Sequence, residues 1–223
     1  MPNVTPPLLE FEGVVVERGE RRILGPVDLS IAAAGITVLA GASGAGKTTL
    51  LRLGNGLDVP SRGVIRYRGQ DLAQFDVLRL RREVGMVFQT PVLFGGTVAD
   101  NLAVAAPGLP EQRYRDVLRR VALDEDYLDR AAASLSGGEA QRMCLARTLV
   151  TAPKAMLLDE PTSALDEEPK RIFERTALDL SRDGLPIVWV THEPAQAKRL
   201  GDRVVRMQGG VIVDDPTGRA DER

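Results

Sequence analysis

The sequence lacks the features on which several protein classes depend. It has a single cysteine, Cys144, which cannot form a disulfide within the chain and fits a reducing compartment. No apolar run approaches the roughly 18 residues that span a bilayer, and the N-terminus lacks the basic start and apolar stretch of a signal peptide. The formal net charge is only −2, so no positive excess favours nucleic acid. The sequence therefore predicts a globular protein that binds no nucleic acid and reaches any membrane through a partner.

Short strand-like runs alternate with helical patterns along the 223 residues. This alternation predicts an α/β fold with a mostly parallel sheet, organised as a single domain over residues 1–223. Ligands of such sheets bind at the carboxyl ends of the strands. The predicted strands cover residues 8–16, 27–31, 36–40, 63–67, 84–88, 154–160 and 185–192.

Residues 97–150 differ from the rest because they contain no strand-like run. Tyr114, Val117, Leu118 and Val121 follow the i, i+3, i+4, i+7 spacing of one apolar helix face. We expect this segment to form a helical lobe inserted in the α/β core. The lone Cys144 falls within it, and a small core residue is its ordinary interpretation.

A glycine-rich loop, GASGAGKTT, follows the predicted strand 36–40 and opens a helix. It matches the G-x-x-x-x-G-K-[ST] phosphate loop, in which glycines let backbone N–H groups point at phosphates. Lys47 would reach the β- and γ-phosphates, and the Thr48 hydroxyl would bind Mg²⁺. A structural glycine turn is the alternative interpretation. The predicted nucleotide-binding residues here are Gly41, Ala42, Ser43, Gly44, Ala45, Gly46, Lys47, Thr48 and Thr49.

Two acids, Asp159 and Glu160, end the predicted strand 154–160. Mg²⁺ needs oxygen ligands beyond one hydroxyl, so Asp159 is a candidate metal partner. Glu160 could polarise an attacking water as a general base. Taken alone, two acids after an apolar run are equally typical of a solvated strand end.

Two polar residues follow other strands at the same edge of the predicted sheet. His192 is the only histidine, and a lone histidine is more often structural than catalytic, but this position could hold the attacking water. Gln89 follows strand 84–88, and its amide could contact both Mg²⁺ and water without adding charge. The candidate catalytic set is therefore Glu160, His192, Gln89 and Lys47, with Thr48, Gln89 and Asp159 as candidate metal ligands.

The segment LSGGEAQR, residues 135–142, decides between these interpretations. By itself, Ser-Gly-Gly before a helix could be an N-cap and a flexible turn. In order with the phosphate loop, Gln89, LLDEPTSALD and His192, it resembles the ABC ATPase family over nearly the whole chain. The resemblance implies a phosphate-loop (RecA-like) NTPase core with a small N-terminal β lobe, and ATP and Mg²⁺ as cofactors.

The resemblance also implies partners. Two copies of the chain would sandwich ATP, so that Ser136, Gly137 and Gly138 of one copy contact the γ-phosphate held by Lys47 of the other. Residues 163–166 would lie across this interface. Residues 90–101 would meet separate transmembrane permease subunits, which places the chain at the cytoplasmic face of the cell membrane.

One position departs from the family pattern. Most relatives carry an adenine-stacking aromatic residue where Arg18 stands. A guanidinium can also stack on a base, so we expect Arg18 to contribute to the nucleotide site with weaker discrimination between ATP and GTP.

Two further stretches of the sequence bear on the transported substrate. Residues 76–102 and 189–207 resemble a branch of proposed iron exporters and a plant half-transporter of aluminium tolerance, which favours a small inorganic solute. A phosphate importer is the runner-up. A cell-division scaffold ATPase and a solitary phosphate-loop kinase are the alternatives from other classes.

Overall fold

The computed structural model describes residues 6–215. The start of the sequence, inspected above for a signal peptide, and the final eight residues lie outside that range. The strands are β1 Leu9–Arg18, β2 Arg21–Ile31, β3 Ile36–Ala40, β4 Arg62–Tyr67, β5 Gln70–Asp71, β6 Val84–Val87, β7 Ala155–Asp159, β8 Ile187–Thr191, β9 Arg203–Gln208 and β10 Val211–Asp214. The α-helices are α1 Lys47–Gly54, α2 Val77–Glu83, α3 Val98–Ala105, α4 Glu111–Arg120, α5 Gly137–Leu149, α6 Glu167–Arg182 and α7 Pro194–Leu200.

The central sheet has six strands in the order β10-β9-β3-β8-β7-β6. All its pairings are parallel except that of β10 with β9. The predicted α/β fold with a mostly parallel sheet is confirmed. Because β3, β6, β7 and β8 run in the same direction, the residues that follow them gather at one edge.

A second sheet, in the order β2-β1-β4-β5, is antiparallel and forms the small N-terminal β lobe. The predicted strand 27–31 is the end of a longer strand that begins at Arg21, because the polar residues before it pair with the end of β1. This sheet packs with α1 against one face of the central sheet. The packing buries one face of the parallel strands, and parallel sheets need both of their faces covered.

Alternate residues of the central strands face two separate cores. Leu39 of β3 and Val188 of β8 belong to the core beneath the antiparallel sheet and α1. Val38 and Trp189, one position away, belong to the core beneath the helices α3 to α7. The sheet therefore separates a layer around the phosphate loop from a helical layer.

The segment 97–150 contains α3, α4 and α5, as its helical pattern predicts. On α4 the residues Tyr114, Val117 and Leu118 are buried, and Val121 follows at its C-terminal end. The described structure has no strand in this segment, and Thr97 and Ala131 form one isolated antiparallel bridge there.

The sequence analysis did not predict α2, α7 or the hairpin of β9 and β10. The two helices have seven residues each, which is too short for a helical period to be distinctive. The alternation in β9 and β10 is interrupted by charged residues that face solvent. No helix within residues 6–215 combines the length and the apolar character that crossing a bilayer requires.

Candidate functional site

The phosphate loop lies between the end of β3 and the start of α1. Gly46 is the N-cap of α1 and has a φ of 93°, a conformation that favours glycine. A Cβ at Gly41 would come within 2.2 Å of the Met207 carbonyl oxygen, so the loop also needs glycine there. No side chain caps α1, which leaves the N–H groups of its first turn available to an anion. A polyphosphate fits this cradle.

Lys47 is the first residue of α1, and its side chain is only 4% exposed. Its ammonium group donates to the carbonyl oxygens of Gly41 (2.7 Å) and Ala42 (2.9 Å), which hold it across the loop. The Nζ atom also lies 3.5 Å from Oε1 of Glu160. The carbonyl oxygens of the phosphate loop therefore orient the lysine side chain.

Thr48 and Asp159 meet at the base of the loop. The Thr48 hydroxyl donates to Oδ1 of Asp159 at 2.8 Å, so β7 and α1 place two hard oxygen ligands together. Burial raises the pKa of the Asp159 carboxyl, and the hydrogen bond from Thr48 opposes that rise. Mg²⁺ suits such a pair because it takes few protein oxygens and keeps phosphate and water ligands.

Glu160 and His192 form the polar end of β7 and β8. His192 Nδ1 lies 2.8 Å from Oε2 of Glu160, whose other oxygen faces Lys47. Glu160 has a φ of 43°, which is uncommon for a residue other than glycine. Its backbone N–H donates to the Val190 carbonyl, which holds the residue in this conformation. Such local strain is typical of functional sites.

Gln89 joins the cluster through Ser163 rather than through a candidate metal ligand. The Gln89 amide donates to the Ser163 hydroxyl at 3.1 Å, and that hydroxyl donates to the Glu160 carbonyl at 3.0 Å. The loop after β6 and the loop after β7 are thus linked. The structure brings together Lys47, Thr48, Asp159, Glu160, His192 and, one residue removed, Gln89.

Ser136, Gly137 and Gly138 lie at the N-terminus of α5. Ser136 is the N-cap in a capping box: Glu139 Oε2 accepts from the Ser136 N–H at 2.7 Å, and the Ser136 hydroxyl accepts from the Glu139 N–H. Ser136 and Gly137 are exposed and Gly138 is buried. Within residues 6–215, no hydrogen bond or ion pair joins these three residues to the phosphate loop. They do not complete the site of their own chain.

Arg18 ends β1, and its side chain is 59% exposed. Its guanidinium donates to Asp58 at 2.8 Å, so a carboxylate orients it. The sequence analysis did not predict Asp58 because no pattern connects two residues 40 positions apart.

A buried polar network behind the site was also missed. The Gln196 amide donates to the Thr162 hydroxyl (2.9 Å) and to Glu174 (2.8 Å), and it accepts from the Trp189 indole. The network ties the loop after β7 to α6, α7 and β8. A glutamine among apolar residues of a helix is the only sequence signal that could have indicated it.

The segment 90–94 borders a groove of about 440 Å³, which is also lined by residues of α2, β6, α3 and α5. Phe88, Val92 and Phe94 expose large apolar side chains there. The Phe88 carbonyl accepts from the Gln141 amide, which ties the groove to α5. This surface is apolar enough to meet another protein.

Comparisons with known proteins agree with this geometry. A family profile described as ABC transporter matches residues 24–163, from β2 to the loop after β7. The profile thus spans the phosphate loop, Gln89, the Ser136 segment and the two acids.

Two relatives of different kinds illustrate which proteins the chain resembles. The protein STAR1 of Oryza sativa subsp. japonica is 41% identical over 202 residues, which is 88% of this chain and 58% of the rice protein. The chain thus spans little more than half of that relative. The L-cystine import ATP-binding protein TcyC of Bacillus subtilis is 36% identical over 93% of this chain and 89% of its own length.

Among solved structures, cbiO1 of Clostridium perfringens superimposes with a TM-score of 0.85. The match covers 94% of this chain and 88% of cbiO1, at 27% identity. That protein is described as part of the ABC transporter complex cbiONQ.

Proposed function

This chain belongs to the ABC transporter family as an ATP-binding domain, and from that premise we propose that it hydrolyses ATP to drive transport. The observation that carries the proposal is the position of Glu160. Its carboxylate lies between Lys47 and His192 at the mouth of an uncapped helix N-terminus. A base, a cation and an anion cradle therefore converge, which is what phosphoryl transfer to water requires.

Each residue of the cluster has a distinct part in this reaction. Glu160 accepts the proton of the attacking water, and Lys47 balances the charge that develops on the phosphoryl oxygens. When Nδ1 of His192 carries the proton, it donates to Glu160 and leaves Nε2 free to contact water or phosphate. Thr48 and Asp159 would hold Mg²⁺, which supplies positive charge to the phosphates.

The second half of the site comes from another copy of the chain. Ser136 and Gly137 are exposed at a helix N-terminus, yet no hydrogen bond or ion pair among the described residues ties them to their own phosphate loop. A head-to-tail dimer would bring them to the γ-phosphate of the partner copy, where the free N–H groups of α5 stabilise negative charge.

The membrane partner would bind the groove beside residues 90–101. Its exposed apolar side chains need a protein surface, and Gln89 connects that surface to Ser163 and Glu160. A permease bound here would hold the chain at the cytoplasmic face of the membrane.

For the cargo, we propose a small inorganic solute. Export of a metal ion is the leading candidate, and iron is the metal that we would test first. This choice follows from the resemblance of residues 76–102 and 189–207 to proposed iron exporters, and the likeness to the plant protein STAR1 supports it. The likeness to an L-cystine import protein keeps import of phosphate or another solute as the alternative. A cell-division scaffold is the non-transport alternative.

Affinity purification from detergent-solubilised native membranes separates these alternatives. We expect a polytopic membrane protein to co-purify, and ATPase activity to rise on addition of one of iron, phosphate or L-cystine. A division-site protein as the partner would contradict transport.

Glu160→Gln tests the hydrolytic assignment directly. We expect it to slow ATP hydrolysis by at least ~100-fold, the usual range for a lost general base, while ATP binding is kept. Phosphate release and nucleotide affinity are the two measurements.

Glu111→Gln is the matched control. It removes an exposed carboxylate of α4 whose partner is Arg115, distant from the loop in sequence and structure. Equal activity of the Glu160→Gln variant and this control would contradict the role of Glu160.

A further inference from the structure

Tyr127 lies in the 3-10 turn Glu125–Asp129 between α4 and α5, outside every motif considered above. Its hydroxyl donates to Oε1 of Glu139 at 2.5 Å. The other oxygen of the same carboxylate accepts from the Ser136 N–H at 2.7 Å. One side chain from a separate turn therefore reaches the backbone of Ser136 through a single carboxylate.

The Tyr127 ring is itself held in place by two contacts. The guanidinium carbon of Arg130 lies 3.7 Å from the ring centroid, and Asp126 accepts from Arg130 at 3.0 Å. The ring also packs against the core of the helical layer. A stacked and half-buried phenol has little rotational freedom, so it can fix the position of its hydrogen-bond acceptor.

Glu139 is surrounded by groups that favour its ionised form. From the 3-10 turn comes the Tyr127 hydroxyl, and from its own helix come the N–H and hydroxyl of Ser136 and the charge of Arg142. Together they hold the pKa of Glu139 at about 2, and the Tyr127 hydroxyl is the largest cause. An ionised carboxylate is the stronger acceptor for the Ser136 N–H.

From this geometry we propose that Tyr127 is a positioning residue for the phosphate-contacting end of α5, acting through Glu139. Tyr127 orients the carboxylate, and the carboxylate fixes the N-cap Ser136 in the conformation that presents its hydroxyl and the following N–H groups. This inference rests on the proposed function, in which Ser136 contacts the nucleotide of the partner copy.

Tyr127→Phe in the full-length chain is the test, and Tyr114→Phe is its matched control. Tyr114 belongs to the same helical layer and donates to the Ala106 carbonyl at 2.8 Å, with no connection to Ser136. We expect Tyr127→Phe to lower kcat about tenfold, the effect of one lost charge-assisted hydrogen bond. ATP affinity at the phosphate loop of the monomer should stay unchanged, and the Tyr114→Phe variant should keep the wild-type kcat.

The pH dependence of kcat separates a positioning role from a purely structural one, which would leave that dependence unchanged. Without the Tyr127 hydroxyl, the pKa of Glu139 rises towards the ordinary value, so the carboxylate loses its charge at higher pH. The ratio of Tyr127→Phe to wild-type kcat should therefore stay constant above about pH 6 and fall as the pH decreases towards about 4. In a Glu139→Ala background, Tyr127→Phe should not lower kcat any further.

Three outcomes would overturn the inference while leaving the proposed function intact. These are a wild-type kcat in Tyr127→Phe, an equal loss in the Tyr114→Phe control, or a pH-independent ratio. Absence of hydrolysis by the wild-type chain would instead contradict the proposed function. If the thermal midpoint of Tyr127→Phe falls, kcat is compared well below that midpoint, where the same three outcomes apply.

Discussion

At the residue scale, Glu160 is constrained on its backbone and on both carboxylate oxygens. Its positive φ is maintained by the bond to Val190, and its oxygens face Lys47 and His192. A residue held in this way loses little further freedom when it orients a water molecule. In the proposed reaction, this backbone conformation would prepare the site for hydrolysis.

Arg18 offers a test of base discrimination. Arg18→Tyr restores an aromatic face and removes the ion pair with Asp58, so we expect the preference for ATP over GTP to increase several-fold. Competition binding of the two nucleotides measures the ratio. Asp58→Asn is the control, because it releases the guanidinium without adding a ring.

Unchanged relative affinities in the Arg18→Tyr protein would show that position 18 does not contact the base. A shift of equal size in the Asp58→Asn protein would instead show that the ion pair matters rather than the ring.

The sequence predicted which residues gather at the phosphate loop better than it predicted their hydrogen-bond partners. Lys47, Thr48 and Asp159 belong to local patterns whose spacing follows from phosphate and Mg²⁺ chemistry. Asp58 and Gln196 could not be found in this way, because their contacts arise only when distant segments pack.

At the scale of elements, the two glycines at the start of α5 have different surroundings. A Cβ at Gly138 would lie 2.6 Å from Cβ of Pro169, at the contact of α5 with α6, whereas nothing lies within 4 Å of one at Gly137. Gly138→Ala should therefore destabilise the fold by about 1–3 kcal/mol through overpacking.

Gly137→Ala should behave in the opposite way. Its thermal midpoint should match or exceed that of the wild type, because alanine favours a helix over glycine by up to ~1 kcal/mol. Its ATPase rate should fall at least about tenfold if the phosphate of the partner copy approaches this backbone. Calorimetry and phosphate release on the two variants decide between these roles.

Elements with strong local patterns were predicted well, and the others were not. Strands β3, β7 and β8 are continuous apolar runs, and α4 has a distinct apolar face. The helices α2 and α7 are defined by what they pack against rather than by their own period. Even β2 was predicted too short, since it starts with two arginines and contains Gly25 and Pro26, and this part is fixed by pairing with β1.

At the scale of the whole molecule, the proposed dimer builds each ATP site from two copies of the chain. In the Glu160→Gln background, saturating ATP should convert the monomer into a dimer. Adding Ser136→Arg should prevent that conversion, because a bulky cation replaces the N-cap, while one ATP per chain stays bound. Sedimentation with and without ATP measures both states, and a dimer in the doubly substituted protein would contradict assembly through Ser136.

The two faces of the central sheet have a consequence for how such chains diverge. Neighbouring positions of one strand, such as Val38 and Leu39, belong to different cores, so a substitution perturbs the helical layer or the phosphate-loop layer but seldom both. Descendants of one ancestor can therefore accumulate changes in the helical core, beside the groove proposed to bind a membrane protein. The packing around the phosphate loop on the other face is then left unaltered.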